Sequence, residues 1–256
     1  MHKDRRGGKV KGAAIWLAVA VLLVLGGSFS APCGGTAAAW AAGDEFQDPF
    51  AEETVTVADP LEPMNRFFFQ VNDRLYFWLL KPTAKVYGTF LPPGLRIAIR
   101  NAFDNILAPV RIVNNLLQGK VQRCGVEIAR FALNSTLGAG GLFDPAEQEF
   151  GLKAHEEDFG QTLAVYGMGN GLYINWPLFG PSTLRDSLGF GADTFLDPTS
   201  YLYPPTGLYA GVKAVKYVNR TSLRLGEYED LKASALDPYI ALRDAYISYR
   251  HKQVKE

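Results

Sequence analysis

Asp59-Pro60-Leu61-Glu62-Pro63-Met64-Asn65-Arg66-Phe67-Phe68-Phe69, running on to Tyr76-Phe77-Trp78-Leu79-Leu80, reads as a helix with two unlike ends. Asp59 suits a cap, Pro60 the first helical position, and Glu62 stands where a carboxylate reaches back to a free amide. Pro63 would forfeit the first intrahelical bond, so a start at Glu62-Pro63 stays open beside it. Met64, Phe67, Phe68, Val71, Leu75, Trp78 and Leu79 then recur at three- and four-residue intervals, which makes one helix face. Asn65, Arg66, Asn72, Asp73 and Arg74 hold the opposite face for two turns, after which the polar side nearly vanishes. Such a helix is either a core element or one end of something that meets lipid.

Outward from it, proline and glycine punctuate the chain every 15 to 20 residues. The opening helix should end at Lys81-Pro82. A second follows Pro92-Pro93 to about Leu107, and a short one runs from Pro109 to a C-cap at Gly119. The next spans Val121 to Leu137, with Gly138 as terminator. Further helices are expected over 156–166, 182–195, 206–225 and 237–250. Leu172 to Gly180 is the one candidate for extended structure, with Pro177 arguing against a central strand. Strands and helices do not alternate as a parallel sheet would require. The predicted fold class is all-α: one domain of short amphipathic helices, with at most a small hairpin near 167–180.

The N-terminus predicts export. Lys3, Arg5, Arg6, Lys9 and Lys11 precede an uncharged run, Ala13 to Leu25, too short for a span of roughly 20 residues. Ala39-Trp40-Ala41 offers a cleavage site, giving a signal peptide over 1–41 and an acidic tether over 42–58. Lipidation at Cys33 and an uncleaved anchor remain open, although Ser30-Ala31-Pro32 is a poor lipobox. Cleavage at Ala41 leaves Cys124 as the one cysteine, expected to be a small buried apolar residue. It also leaves a net charge near −4, which does not suggest nucleic acid. With 16 Phe, 12 Tyr and 4 Trp the chain is aromatic-rich, yet no later segment is long enough to span a bilayer. Multiple spans are excluded; insertion into one leaflet is not.

Gly167-Met168-Gly169-Asn170-Gly171 has the wrong spacing for either phosphate-binding glycine motif. It reads as a turn or as a mobile loop beside a path or pocket. His155-Glu156-Glu157-Asp158 reads as an acidic helix start rather than a metal site. No catalytic elbow, zinc motif or cysteine–histidine pair is present, and no cofactor is expected. Asn65 and Arg66 could be solvated, could partner internal backbone or acid groups, or could meet a headgroup phosphate through Arg66.

Taken together, Asp59-Pro60-Leu61-Glu62 with Asn65-Arg66 resembles the MlaA (VacJ) family of outer-membrane lipoproteins. Further blocks follow in order: Phe131 to Gly138, Gly140 to Asp144, Glu157 to Leu163, Tyr166-Gly167 with Gly169 and Gly171, Pro181 to Asp186, and Asp237-Pro238-Tyr239. The resemblance covers residues 59–250, leaving 251–256 as a tail. It implies a ring-like helical protein in the inner leaflet of the Gram-negative outer membrane, beside a trimeric porin. It also implies an amphipathic channel that withdraws mislocalised phospholipid from the outer leaflet and passes it to a soluble periplasmic lipid carrier. The loop of Gly167, Gly169 and Gly171, with Tyr173 and Asn175 after it, would border that channel. Asp59, Asn65, Arg66 and Asn72 would form the motif helix, and Cys33 would carry a lipid if its site were competent. On this reading Asn65-Arg66 faces the polar interior or periplasm, and Tyr76 to Leu80 joins the lipid-facing belt. The alternative is an exported, non-conducting adaptor that docks porin or carrier.

Overall fold

The computed structural model describes residues 57–201 and 206–255. The signal peptide, most of the tether and Cys33 lie outside the described residues. The opening helix, α1, spans Glu62–Leu75, so the later of the two possible starts holds. Asp59 does not cap it, and the Glu62 carboxylate turns to Arg66 at 2.7 Å instead of to a backbone amide.

Pro82 does not end the helix. A π-helical turn, Tyr76–Leu80, leads directly into α2, Lys81–Phe90. A proline inside a helix lacks its N–H and presses on the carbonyl one turn back, and a π turn is one of the recognised ways a helix absorbs such an interruption. The Leu79 carbonyl is satisfied by the Thr83 hydroxyl at 2.7 Å.

The chain continues through α3 (Pro93–Ile106), α4 (Ala108–Leu117), α5 (Val121–Thr136), the single turn α6 (Pro145–Gln148) and α7 (Phe159–Val165). Strands β1 (Tyr173–Trp176) and β2 (Gly180–Thr183) pair antiparallel, with Tyr173 opposite Thr183 and Trp176 opposite Gly180. Pro177 falls in the turn between them. Next come α8 (Leu184–Leu196), a 3₁₀ turn at Pro198–Tyr201, α9 (Thr206–Leu223), α10 (Glu227–Ser234) and α11 (Pro238–Lys255). The fold is all-α with one small hairpin, as the sequence predicts.

Besides α2 and the 3₁₀ turn, two elements escape the sequence reading. The turn α6 is capped by Asp144, which accepts the Glu147 N–H at 3.2 Å. Helix α10 begins at Gly226, and Glu229 closes its first turn by accepting the Gly226 N–H at 3.2 Å. Helix α11 also runs to Lys255, so residues 251–255 continue a helix rather than form a separate tail.

What the elements bury is unusual. Among the described residues the buried apolar side chains are Ala84, Ala108, Cys124, Ala146, Tyr173, Tyr239 and Ile247. Buried polar and charged residues outnumber them more than two to one. Large apolar side chains instead face outward on every long element, among them Phe67, Trp78, Phe90, Val121, Phe143, Leu188 and Phe195. In water, helices are held by apolar burial; this fold keeps little apolar area for that purpose. Where the surroundings are themselves apolar, close packing and interhelical hydrogen bonds take over, and this interior is built that way. No described helix is long and apolar enough to cross a membrane.

Candidate functional site

Helix α1 carries two asparagines seven residues apart, Asn65 and Asn72, and both face the hairpin. The Asn65 Nδ2 donates to the Tyr173 carbonyl at 3.0 Å, and its Oδ1 accepts the Asn175 N–H at 2.8 Å. The Asn72 Nδ2 donates to the Trp176 carbonyl at 2.8 Å, and its Oδ1 accepts the Leu178 N–H at 2.7 Å. Each carboxamide thus pairs with the hairpin backbone as a neighbouring strand would, Asn65 along β1 and Asn72 at its end and in the turn. The spacing follows from geometry: seven helical residues rise about 10.5 Å, and three strand residues advance about 10 Å.

The rest of the motif supports this joint. Asp59 accepts the second Asn65 N–H at 2.8 Å and the Tyr239 hydroxyl, with Arg243 at 3.7 Å. Asn175, fully buried, returns a bond to the Asn65 carbonyl at 3.3 Å. Tyr173 lies in the small apolar cluster with Tyr239 and Ile247, and burial raises its phenol well above the ordinary tyrosine value. Asp59, Asn65, Asn72, Tyr173 and Asn175 therefore meet at one place. Arg66 sits apart, paired with Glu62 at 2.7 Å and Asp237 at 2.8 Å over the Tyr239 ring. Of the three roles open to them, Asn65 takes the internal partner, while Arg66 forms a half-exposed ion pair with Glu62 and Asp237.

Replacing Asn65 with Asp should cost about 3 kcal/mol. The new carboxylate cannot donate to Tyr173 and would face Asp59 at the present 2.8 Å contact. Thermal unfolding in detergent micelles checks this, together with protease cutting near the hairpin. Cutting should rise sharply in the variant.

The glycine loop leads from α7 into β1, and its three glycines do different things. Gly167 (φ 90°) closes α7: its N–H bonds the Ala164 carbonyl at 2.9 Å and the Met168 N–H bonds the Leu163 carbonyl at 3.0 Å. Gly171 (φ 68°) passes so near Leu184 that a Cβ would meet its side chain at 3.1 Å. Gly169 has neither constraint; its missing side chain would enter open space. The turn reading thus accounts for two of the glycines, and conformational freedom is left at the third.

A second joint lies on the far side of the hairpin. Arg250 on α11 reaches Asp158 through two bonds of 2.6 and 2.9 Å and Asp186 through two of 3.1 and 2.8 Å. Tyr246 adds its hydroxyl to Asp186 at 2.7 Å. Burial alone would raise the Asp186 carboxyl, but the Arg250 and Tyr246 contacts overcome it and hold the group below the ordinary aspartate value. Asp158 also caps α7, accepting the Gln161 N–H at 2.9 Å, so the acidic run before it is a helix start as predicted. Helices α7 and α8 cross where Gly160 and Gly189 touch: a Cβ on Gly189 would lie 2.3 Å from the Gly160 nitrogen.

The same construction recurs elsewhere. Buried Glu127 takes Arg111 at 2.7 Å and the His155 N–H at 2.7 Å. Arg130 spans Asp144 at 2.7 Å and the Leu152 carbonyl. Asn114 donates to Asp193 at 2.9 Å and accepts the Thr162 hydroxyl at 2.8 Å. Burial pushes Asp193 up to about 6 against those bonds. Among the described residues, no group of three or more His, Cys, Asp or Glu could hold a metal ion. Cys124 is buried and free, as expected.

The sequence reading missed the pairing of α3 with α9. Arg96, Arg100 and Asp104 fall at four-residue intervals along α3, and Lys213, Lys216 and Arg220 at three and four along α9. That spacing was visible in the sequence. What was not visible is that Arg96 donates to the Ser222 carbonyl at 2.7 Å and Asn219 to the Arg96 carbonyl at 2.9 Å, which sets the two helices side by side.

Known proteins match this chain along most of the described region. The family model for the MlaA lipoprotein matches residues 57–253. The intermembrane phospholipid transport system lipoprotein MlaA of Escherichia coli K12 is 34% identical over 197 residues, covering 76% of this chain and 77% of that one. Its counterpart of the same name in Haemophilus influenzae is 32% identical over 207 residues, covering 77% and 78%. A solved structure described as "Structural basis for maintenance of bacterial outer membrane lipid asymmetry" matches with a TM-score of 0.69 and 35% identity, over 77% of this chain and 100% of that one. With its motif residues gathered at one joint and its helices following the same fold, the chain belongs to the MlaA lipoprotein family.

Proposed function

We propose that this protein is a non-enzymatic phospholipid channel in the inner leaflet of the Gram-negative outer membrane. It withdraws mislocalised phospholipid from the outer leaflet and passes it to a soluble periplasmic carrier, beside a trimeric porin. The observation that carries this reading is the inverted distribution of polarity. A headgroup leaving water needs polar groups to replace its hydration, because shedding it uncompensated costs several kcal/mol, roughly 2 to 7 per group. An interior built of asparagine, arginine and acids supplies them, while the outward aromatic and aliphatic side chains suit acyl chains. The helices would encircle the polar path, and the loop around Gly169 would move at its edge.

Trp78 and Leu79, 80% and 64% exposed at the π turn, are the belt residues to test. Their neighbours Tyr76 and Phe77 pack against Tyr228. An aspartate at lipid depth costs about 3 kcal/mol. The double variant Trp78→Asp, Leu79→Asp, made in a Cys33→Ala background, should leave the membrane fraction after alkaline washing. In a strain lacking its own relative, the unsubstituted chain should clear outer-leaflet phospholipid and restore detergent resistance, and the double variant should do neither. An unsubstituted chain that left outer-leaflet phospholipid unchanged would sink the channel reading.

A further inference from the structure

Helices α2, α3 and α9, with Arg224 just past the last, carry eight Lys and Arg against one acid, Asp104. The rest of the chain after Ala41 then has a net charge near −11. Charge is sorted in this fold, and most of these cations are not used to hold it together. Lys81 is paired with Glu229 at 2.8 Å and Lys213 with Asp197 at 2.7 Å. Among the described residues, the side chains of Lys216, Arg220 and Arg224 make no hydrogen bond or ion pair. Arg100 reaches only the neighbouring Asn101, at 3.2 Å.

Helix geometry gathers them on one side. Lys213, Lys216, Arg220 and Arg224 recur at three and four residues, and the Arg224 N–H bonds the Thr221 carbonyl at 3.0 Å, so the turn carries on past α9. Asn219 and Ser222, both buried, mark a different face. There Tyr87 of α2 donates to Asn219 at 3.0 Å and Arg96 of α3 to the Ser222 carbonyl at 2.7 Å. At about 100° per residue the two faces lie roughly 135° apart, so the basic stripe turns away from that seam. Arg220 and Arg224 are exposed accordingly, with exposed Tyr217 among them. Arg100, one turn beyond Arg96, is exposed beside the same seam.

A basic stripe around an aromatic side chain suits an anionic bilayer surface. Such a surface attracts each Lys or Arg, and tyrosine settles at headgroup level. The exposed apolar side chains of Val86, Phe90 and Ile97 on the adjoining helices fit lipid better than an acidic protein. The acidic remainder of the chain would be repelled by the same surface. We propose that Lys216, Arg220 and Arg224, with Arg100, dock on anionic phosphoglycerol headgroups and so set which side of the fold meets the leaflet. This rests on the channel reading and names the lipid surface that orients the protein.

Flotation of the full-length Cys33→Ala protein with vesicles tests it, using phosphocholine lipid alone or with about one third phosphoglycerol lipid. The unsubstituted chain should partition more strongly onto the anionic vesicles, and high salt should erase the difference. Combining Arg100→Gln, Arg220→Gln and Arg224→Gln should weaken anionic partition about 100-fold, at about fivefold per cation, and leave neutral partition unchanged. Combining Arg74→Gln, Lys153→Gln and Lys252→Gln removes as many exposed cations elsewhere and should do far less. Equal partition of the unsubstituted chain onto both vesicles overturns the proposal even if a variant fails to fold, and leaves an acidic protein as the stripe's partner. A preference that survives the first triple variant, or equal losses in both, overturns it too. In each case binding to neutral vesicles, and with it the channel reading, still stands. An unsubstituted chain that floats with neither vesicle overturns both.

Discussion

Gly189→Ala should destabilise the protein by about 3 kcal/mol, at the upper end of the cost of overpacking. The added carbon would sit 2.3 Å from the Gly160 nitrogen and 2.7 Å from its Cα, and backbone atoms cannot swing aside as a side chain can. Helices α7 and α8 must move apart. The movement also strains the Arg250 joint, because Gly160 lies under Asp186 and Arg250: a Cβ there would meet them at 2.6 and 2.9 Å. Gly191→Ala, on the same helix, is the control. Nothing lies within 4 Å of its Cβ position, so alanine should stabilise by about 0.5 to 1 kcal/mol through helix propensity. Thermal unfolding followed by circular dichroism in micelles should move the two midpoints in opposite directions. Equal shifts would mean that the glycine contact does not hold these helices.

Arg250→Met should cost about 3 kcal/mol, the low end for removing one partner of a buried ion pair, because Arg185 stays on Asp186 at 3.0 Å. The Asp186 side chain is 7% exposed, so water cannot replace the guanidinium. The pH dependence gives a second signature. The folded Asp186 carboxyl lies below its unfolded value near 3.8, so its contribution is fully present above that pH. It is lost as pH falls through the lower folded value. Without Arg250, burial is opposed only by Arg185 at 3.0 Å and the Tyr246 hydroxyl at 2.7 Å, so the carboxyl rises and its stabilising contribution shrinks. Thermal midpoints from pH 3 to 7 should show the gap between the two proteins closing toward low pH. A constant gap would count against a charge effect.

Much of the helical architecture was legible because a 3.6-residue period marks a helix whichever face is inward. The same indifference hid the main point, since period alone does not say which side of Met64 to Leu79 is covered. Pro82 misled for a related reason: the π turn that accommodates it is set by five residues with no sequence signature. Helix α10 was overlooked although the acids after Gly226 suit a helix beginning. At the site, Asn65 and Asn72 stood at a visible seven-residue spacing. Their partners lie more than a hundred positions away on β1, and one chain's sequence does not specify that pairing. Arg96 and Asn219 eluded the reading likewise, each ordinary within its own helix.

The carboxamides of Asn65 and Asn72 have one more effect. An exposed strand edge is a template for another chain, and a two-stranded hairpin ordinarily leaves such edges open. Here β1 meets β2 on one side and side-chain amides on the other, so its backbone offers little for a foreign strand to copy. A protein that turns so many aromatic side chains outward is already prone to self-association through them. Closing the β1 edge leaves one template fewer through which such contact could mature into ordered β-aggregates.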